Sequence, residues 1–192
     1  MAYHGVANPG GSCGGDRATR IGRITWRADG TPSFGTPAST GTTLALPSGD
    51  PGSVSVPLGD YELMAQHSGK ALSVRGSSVV TETSTGARSQ RWRVRRLADG
   101  SYSVQSVASG RVLAVAGCAS ADGAAVVVAA SSGTSCQRWY VDGAYGAYSR
   151  VTSVLAGRGL DVAWASPEDG AAVVVWPYAY TTNSRWILRR VR

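Results

Sequence analysis

The sequence predicts an all-β fold in which three copies of one repeat build most of the chain. The 25 glycines and 8 prolines among 192 residues disfavour long helices, and 43% hydrophobic with 16% charged residues is typical of a folded chain. A search for internal similarity aligns three segments with a Leu-x-Val centre, at residues 68–74, 109–115 and 156–162. Each is followed by a tryptophan in a Gln-Arg-Trp or Ser-Arg-Trp context: Trp92, Trp139 and Trp186.

The first 37 residues have a different character. Their pattern predicts a strand around Tyr3, a glycine-rich loop, a second strand that ends near Trp26, an Asp29-Gly30 turn and a short closing strand. Residues 38–59 are rich in Ser, Thr, Gly and Pro, which is typical of a linker. We therefore predict three parts: an N-terminal segment 1–37, a linker 38–59 and a repeat domain 60–192.

The repeat spacing predicts a β-trefoil. The three tryptophans are 47 residues apart, but Val74 and Val115 are only 41 apart, so the first repeat lacks six residues between its Leu-x-Val strand and its tryptophan. Short strands are predicted at 102–106, 111–116, 125–129 and 138–141 of the second copy. Propellers usually need at least four blades, so three units of four strands suit a trefoil instead. Alternate side chains then share one core: Leu72, Val74, Trp92, Val94, Leu113, Val115, Trp139, Val141, Leu160, Val162, Trp186 and Leu188.

A threefold Ser-Gly-x-x-Leu-x-Val pattern with Gln-x-Trp motifs resembles the ricin B-type lectin β-trefoil, also known as carbohydrate-binding module family 13. The resemblance covers residues 60–192. It implies a sugar pocket in each competent repeat, built from an Asp in the Leu-Asp-Val strand, an aromatic residue about fifteen residues later and an Asn before the Gln-x-Trp motif. A carboxylate accepts hydrogen bonds from two adjacent hydroxyls, an aromatic face packs on the C–H side of a sugar ring, and an amide completes the polar set.

Only the third repeat has all three residue types, namely Asp161, Trp176 and Asn183. The second repeat has Ala114, Ala129 and Cys136 at the matching places. The first has Ser73 and Ser89, with the six-residue deletion where its aromatic is expected. We therefore expect one sugar-binding site, in the third repeat, with Tyr178 as a further wall; Trp164 and Tyr180 are also close in sequence, and packing explains them equally well.

The Asp-Gly-x-Pro-x-Phe-Gly-x-Pro run at 29–37 resembles the end of the five-bladed catalytic propeller of glycoside hydrolase family 43. The resemblance implies that 1–37 is the remnant of a propeller blade whose catalytic carboxylates stood on earlier blades. Those blades are missing here, and nothing pairs Asp16 with Asp29 as acid and base, so we predict no catalytic residue and no enzyme activity for this chain alone.

The leading interpretation is therefore a carbohydrate-binding module, truncated from a secreted glycoside hydrolase, that targets arabinan, xylan or terminal sugars. One alternative is that the chain is part of a working family 43 arabinofuranosidase or xylosidase whose upstream portion is missing. Another is a structural trefoil without sugar binding. Secretion is implied by the family resemblance, although Met1 is not followed by the apolar run of a signal peptide.

The net charge of +7 comes almost wholly from arginine. The densest run, 91–96, alternates arginine with Trp92 and Val94, which on a strand predicts a solvated face over a core rather than a nucleic-acid site. No apolar stretch approaches the roughly 18 residues that span a bilayer. We therefore expect a monomer whose partner is a glycan, with no nucleic-acid or membrane partner.

The three cysteines form no Cys-x-x-Cys pair, so we predict no metal site and no cofactor. Cys118 and Cys136 are 18 residues apart in predicted loops and could form a disulfide in an oxidising compartment. Cys13 is left without a partner in this scheme.

Overall fold

The computed structural model describes residues 2–6, 17–21, 25–33, 56–143, 148–179 and 181–191. The chain divides into two compact units, Met1–Gly52 and Ser53–Arg192. Within the described ranges, no helix is long and apolar enough to cross a membrane.

The described residues of the N-terminal unit form two small antiparallel pairs. Strand β1 (Ala2–Val6) pairs with β2 (Arg17–Ile21), and β3 (Thr25–Trp26) pairs with β4 (Pro32–Ser33). The β3–β4 turn has Gly30 at φ +80°, and the Asp29 carboxylate accepts hydrogen bonds from the Thr31 amide and hydroxyl at 2.9 and 2.6 Å. These two hydrogen bonds, the hydroxyl's first, lower the pKa of Asp29. The Asp-Gly turn therefore lies where the sequence predicts it, whereas Cys13 and Asp16 lie outside the described residues.

The C-terminal unit contains twelve strands, four for each repeat, and one-turn 3₁₀ helices. The strands are β5 (Gly59–Ala65), β6 (Ala71–Arg75), β7 (Ser78–Glu82), β8 (Trp92–Arg96), β9 (Tyr102–Ser106), β10 (Val112–Val115), β11 (Ala124–Ala129), β12 (Trp139–Gly143), β13 (Ser149–Ser153), β14 (Gly159–Val162), β15 (Ala171–Trp176) and β16 (Trp186–Arg190). The 3₁₀ helices are Arg88–Gln90, Ala116–Cys118, Ser135–Gln137, Ala163–Ala165 and Thr182–Ser184.

Six strands close a barrel and the other six cap it. The first and fourth strands of each repeat pair around the ring in the order β5, β8, β9, β12, β13 and β16, and β16 returns to β5. The second and third strands form the hairpins β6–β7, β10–β11 and β14–β15, whose third strands pair with one another. This arrangement is a β-trefoil, so the predicted fold class is confirmed.

The three repeated tryptophans form the centre of the core. Trp92, Trp139 and Trp186 are each 0% exposed. Each indole N–H donates to the carbonyl of the Leu in the Leu-x-Val strand of its own repeat, at 2.9–3.0 Å. Burial of the indole without that bond would leave an unsatisfied donor, so the tryptophan and the Leu-x-Val strand are needed together. Of the twelve predicted core residues, Val74 and Leu188 are only partly buried and pack against the core.

The glutamine of the Gln-x-Trp motif braces the preceding loop. Gln137, 7% exposed, accepts from the amides of Ser132 and Gly133 at 2.7 and 3.2 Å and donates to the carbonyl of Ala130 at 2.7 Å. Gln90 makes the corresponding bonds in the first repeat. The third repeat has Ser184 instead, whose hydroxyl donates to the Thr181 carbonyl at 2.9 Å and lies 3.4 Å from the Thr181 hydroxyl.

The six residues that the first repeat lacks belong to the turn of its hairpin. Val74 pairs with Val79, whereas Val162 pairs with Val173 across a much longer turn. Beyond the turn, the strand pairing of the two hairpins has the same register. Ala71 and Gly159 each precede the Leu of their Leu-x-Val strand, and they pair with Glu82 and Trp176 respectively. The expectation that the deletion removes the aromatic position is therefore wrong. Glu82 occupies that position, and the deletion removes the loop beside it.

Candidate functional site

The third repeat forms a pocket of about 480 Å³ over the β14–β15 hairpin. Its lining combines the polar side chains Asp161, Asn183 and Thr181 with the indoles of Trp164 and Trp176, and Gly123 of the second repeat completes one wall. Small-molecule pockets in proteins have volumes of about 300–1,000 Å³, so this one is large enough for a ligand. The structure thus brings together the three site residues that the sequence singles out.

Strand β14 positions Asp161. Its neighbours Leu160 and Val162 are 0% exposed and point into the barrel core, so alternation directs Asp161 to the opposite face. That face is not open solvent, because the pocket walls leave Asp161 only 6% exposed. Burial raises the pKa of Asp161 to about 6, and it outweighs the hydrogen bond from Asn183 and the charge of His67, both of which lower the pKa.

Asn183 lies on the one-turn helix Thr182–Ser184, directly before the third tryptophan motif. Its Nδ2 donates to Oδ1 of Asp161 at 2.8 Å and to the Val162 carbonyl at 3.0 Å. Two bonds from one amide group fix its orientation and that of the carboxylate. No hydrogen bond from the described residues reaches Oδ2 of Asp161 or Oδ1 of Asn183, so both oxygens can accept from a ligand.

Trp176 is the last residue of β15 and is 47% exposed, so it offers ring surface to the pocket. Gly123 supports the ring from the second repeat, since a Cβ at that position would lie 3.5 Å from Cζ3 of Trp176. Gly123 has φ +79°, which favours glycine, and its N–H donates to the Val175 carbonyl at 2.9 Å. Sequence reasoning missed Gly123, because it is distant in the chain and the β11–β15 pairing brings it to the pocket.

The turn that follows β14 is held by the first repeat. Lys70 Nζ lies 2.6 Å from Oδ1 of Asp169, and the Thr83 amide donates to the same oxygen at 2.7 Å. These two contacts, the lysine's first, lower the pKa of Asp169. His67 Nε2 lies 3.0 Å from the Ser166 carbonyl oxygen. The pocket rim therefore depends on closure of the trefoil, since its anchors come from the opposite end of the sequence.

The structure does not place Tyr178 among the pocket-lining residues. Its ring packs beside Gly159, where a Cβ would lie 3.5 Å from Cδ2, and the guanidinium carbon of Arg150 lies 5.2 Å from the ring centroid. These contacts indicate a packing role for Tyr178. Tyr180 lies outside the described residues.

The matching place in the second repeat is occupied by a disulfide. Cys118 and Cys136 are joined, with their Cα atoms 5.1 Å apart, and they match Ala165 and Asn183 of the third repeat in the 47-residue period. Ala114, at the place of Asp161, is 3% exposed and offers no polar group. A cross-link therefore stands where the third repeat has a pocket wall and an amide.

The first repeat has polar groups at the site positions, but they bind one another. The Ser73 hydroxyl donates to Oε2 of Glu82 at 2.7 Å, and Arg75 pairs with Oε1 at 2.5 Å. These contacts, the serine's first, lower the pKa of Glu82. With no aromatic ring and a two-residue turn, this hairpin has neither a stacking surface nor a pocket rim.

No cluster of three or more His, Cys, Asp or Glu side chains within the described ranges is arranged to hold a metal ion. Among the described residues that line the pocket, Asp161 is the one carboxylate, and Asn183 and Thr181 add neutral polar groups. The chemistry of the pocket suits the recognition of a neutral polyhydroxylated molecule.

A family model described as ricin-type beta-trefoil lectin domain-like matches residues 37–129 and 135–192. The designed threefold-symmetric protein ThreeFoil is 33% identical, with 69% of this chain and 99% of that chain covered and a TM-score of 0.68. The exo-β-1,3-galactanase 1,3Gal43A from Clostridium thermocellum is 26% identical over 99% of this chain, with a TM-score of 0.67. This chain spans only 42% of that galactanase.

The Macrolepiota procera ricin B-like lectin, solved in complex with lactose, is 20% identical, with 71% of this chain and 99% of that chain covered and a TM-score of 0.64. At this identity the likeness concerns the fold alone. No curated protein sequence matches the chain. The family match covers well over half of the residues and coincides with the closed trefoil, so the chain belongs to the ricin-type beta-trefoil lectin domain-like family.

Proposed function

We propose that this chain is a carbohydrate-binding module with one glycan site, in the third repeat. The observation that carries the proposal is that Asp161, Asn183 and Trp176 line one pocket. At the matching places, the second repeat has a disulfide and the first repeat has an ion pair between its own side chains. Oδ2 of Asp161 and Oδ1 of Asn183 accept hydrogen bonds from neighbouring sugar hydroxyls. The Trp176 face packs on the C–H side of the ring.

A single site of this kind binds weakly. The open pocket lets water compete for each hydroxyl, so dissociation constants in the millimolar to high-micromolar range are expected. Multivalency would raise the avidity, but the other two repeats supply no second site. The module therefore acts by keeping whatever is attached to it near a polysaccharide.

The proposed targets are arabinan, xylan or terminal sugars, and the module's origin is a secreted glycoside hydrolase. Similarity to the galactanase over 99% of this chain supports that origin, because it includes the N-terminal unit as well as the trefoil. It also adds galactose to the sugars to be tested.

The test is an NMR titration of the wild-type chain, Asp161→Ala and Trp176→Ala with arabinose, xylose, galactose and oligosaccharides of arabinan and xylan. Asp161→Ala removes the charged acceptor, which costs about 1.5–3 kcal/mol and takes a weak site below detection. The fold should survive, because Asn183 keeps its bond to the Val162 carbonyl. Ala114→Asp is the control: it adds a carboxylate beside the disulfide and should gain no binding.

Undiminished binding by Asp161→Ala would show that the third-repeat assignment is wrong. Absence of sugar binding by the wild-type chain would favour a purely structural trefoil.

A second candidate is a role as part of a working hydrolase of family 43 type, and the galactanase similarity favours it. On its own, the chain should release no nitrophenol from nitrophenyl arabinofuranosides, xylosides or galactosides above a heat-denatured control. Release above that control would support an enzyme.

A further inference from the structure

Trp164 is held in a conformation that a bulky residue rarely adopts. Its φ is +60° and its ψ 17°, in the left-handed region, where the matching residue of the second repeat is Gly117 at φ +59°. A non-glycine residue is strained in this region, which favours glycine. Burial does not compensate for that strain, because the side chain is 98% exposed.

The strained, exposed indole lines the same pocket as Asp161 and Trp176. Along the hairpin, Trp176 pairs with Gly159, two residues before Asp161, whereas Trp164 follows the end of β14 at Val162. With about 3.3 Å per strand residue, the backbone positions of the two tryptophans are about 10 Å or more apart along the hairpin. Along the hairpin, the backbone of Trp176 therefore lies on one side of Asp161 and the backbone of Trp164 on the other.

Two indoles whose backbones are this far apart along one hairpin, and which line one pocket, can each pack against a different ring of a bound oligosaccharide. With one ring on Trp176 and Asp161, the exposed indole of Trp164 offers its surface to the next ring. Building on the glycan site proposed above, we propose that Trp164 is a second stacking surface, which contacts the next sugar of an oligosaccharide whose first ring is held by Trp176 and Asp161. The preferred ligand is thus an oligosaccharide of at least two units rather than a single terminal sugar.

The experiment compares a monosaccharide with its disaccharide, using the pairs arabinose and arabinobiose, xylose and xylobiose, and galactose and β-1,3-galactobiose. The variant is Trp164→Gly, which installs the residue that Gly117 provides in the second repeat. This substitution relieves the strained backbone, so its folded state should be at least as stable as that of the wild type by thermal unfolding.

Wild type should bind the disaccharide about 5–10-fold more tightly than the monosaccharide, since a stacked ring adds roughly that factor. Trp164→Gly should reduce the ratio to within about twofold, and the loss of affinity should be larger for the disaccharide than for the monosaccharide. Trp164→Tyr should retain most of the ratio. In NMR spectra, the indole N–H signal that Trp164→Gly lacks should shift with the disaccharide and stay in place with the monosaccharide.

Two results would overturn the inference while the proposed function stands: an unchanged ratio in Trp164→Gly, or equal wild-type affinities for monosaccharide and disaccharide. If the wild-type chain binds none of the six sugars, the proposed function fails and this inference fails with it.

Discussion

Asp161, the carboxylate of the proposed sugar site, is expected to lower the free energy of unfolding at neutral pH. Its carboxylate is held in a covered pocket, where burial raises its pKa from 3.8 to about 6. Replacement by the neutral isostere, Asp161→Asn, should therefore raise the free energy of unfolding at neutral pH and abolish sugar binding. The new amide oxygen can still accept the bond from Asn183 Nδ2, so the local structure is kept.

The size of the effect follows from the pKa shift. A rise of about two units corresponds to about 3 kcal/mol, and solvent that reaches the carboxylate through the pocket mouth reduces it to about 1–2 kcal/mol. The sign follows from the raised pKa of the folded state. Below pH 3.8 the carboxyl is protonated in both the folded and the unfolded state, so it does not lower the free energy of unfolding. Between pH 3.8 and about 6 the carboxyl ionises more readily in the unfolded state, so the loss of stability grows over this range and stays constant above it.

The assay is denaturant unfolding of wild type and Asp161→Asn at several values between pH 4 and 8. The stability advantage of the variant should grow from a few tenths of a kcal/mol at pH 4 to about 1–2 kcal/mol at pH 8. Asp142→Asn is the control, because Asp142 is half exposed, and it should change stability by less than about 0.5 kcal/mol. Equal stabilities of Asp161→Asn and wild type at pH 8 would refute the burial penalty.

Sugar affinity should follow the same titration. The ionised carboxylate is the stronger acceptor, so wild-type affinity should fall as the pH drops below about 6. A wild-type affinity that is the same at pH 5 and pH 7.5 would contradict the assigned role of the carboxylate.

Three further predictions concern the scaffold. Gln137→Ala removes three hydrogen bonds and should lower the free energy of unfolding by about 2–4 kcal/mol in denaturant unfolding. Ser184→Ala, at the matching position of the third repeat, should lower it by about 1 kcal/mol. Equal losses in the two variants would contradict the role of the glutamine in holding the preceding loop. Replacing Cys118 and Cys136 by Ala opens an 18-residue loop and should lower the free energy of unfolding by about 3 kcal/mol in the same assay. Sugar binding by the third repeat should be unchanged. Weakened sugar binding would show that the disulfide and the third-repeat site are coupled. The amides of β2 and β3 should exchange with solvent faster than that of Trp139, because two-stranded sheets are marginally stable; equal protection would contradict this.

The prediction of the fold succeeds because the repeats carry their own physical constraints. A buried tryptophan needs a carbonyl for its N–H, and each repeat supplies one on its Leu-x-Val strand. The boundary of the trefoil was harder to predict. The amide of Val56 donates to the Tyr102 hydroxyl at 2.9 Å and Val56 packs against the core, so the compact unit begins before the expected residue 60.

The candidate site is predictable only where its residues keep a fixed distance along the chain. Asp161, Trp176 and Asn183 follow the offsets of the resembling family, and the structure places them in one pocket. Tyr178 is just as near in sequence, yet it packs beside Gly159 instead. Trp164 has a left-handed φ that no residue pattern reveals, except that the matching residue in the second repeat is glycine.

By itself the sequence determined that the protein is a trefoil and that the third repeat has Asp161, Trp176 and Asn183 at the offsets of the resembling family, because both depend on periods of the chain. The tertiary structure decided the surroundings of these groups. It supplied Gly123 beside Trp176, filled the second-repeat position with a disulfide and raised the pKa of Asp161. These features depend on contacts between repeats and on exclusion of solvent, which arise only once the barrel has closed.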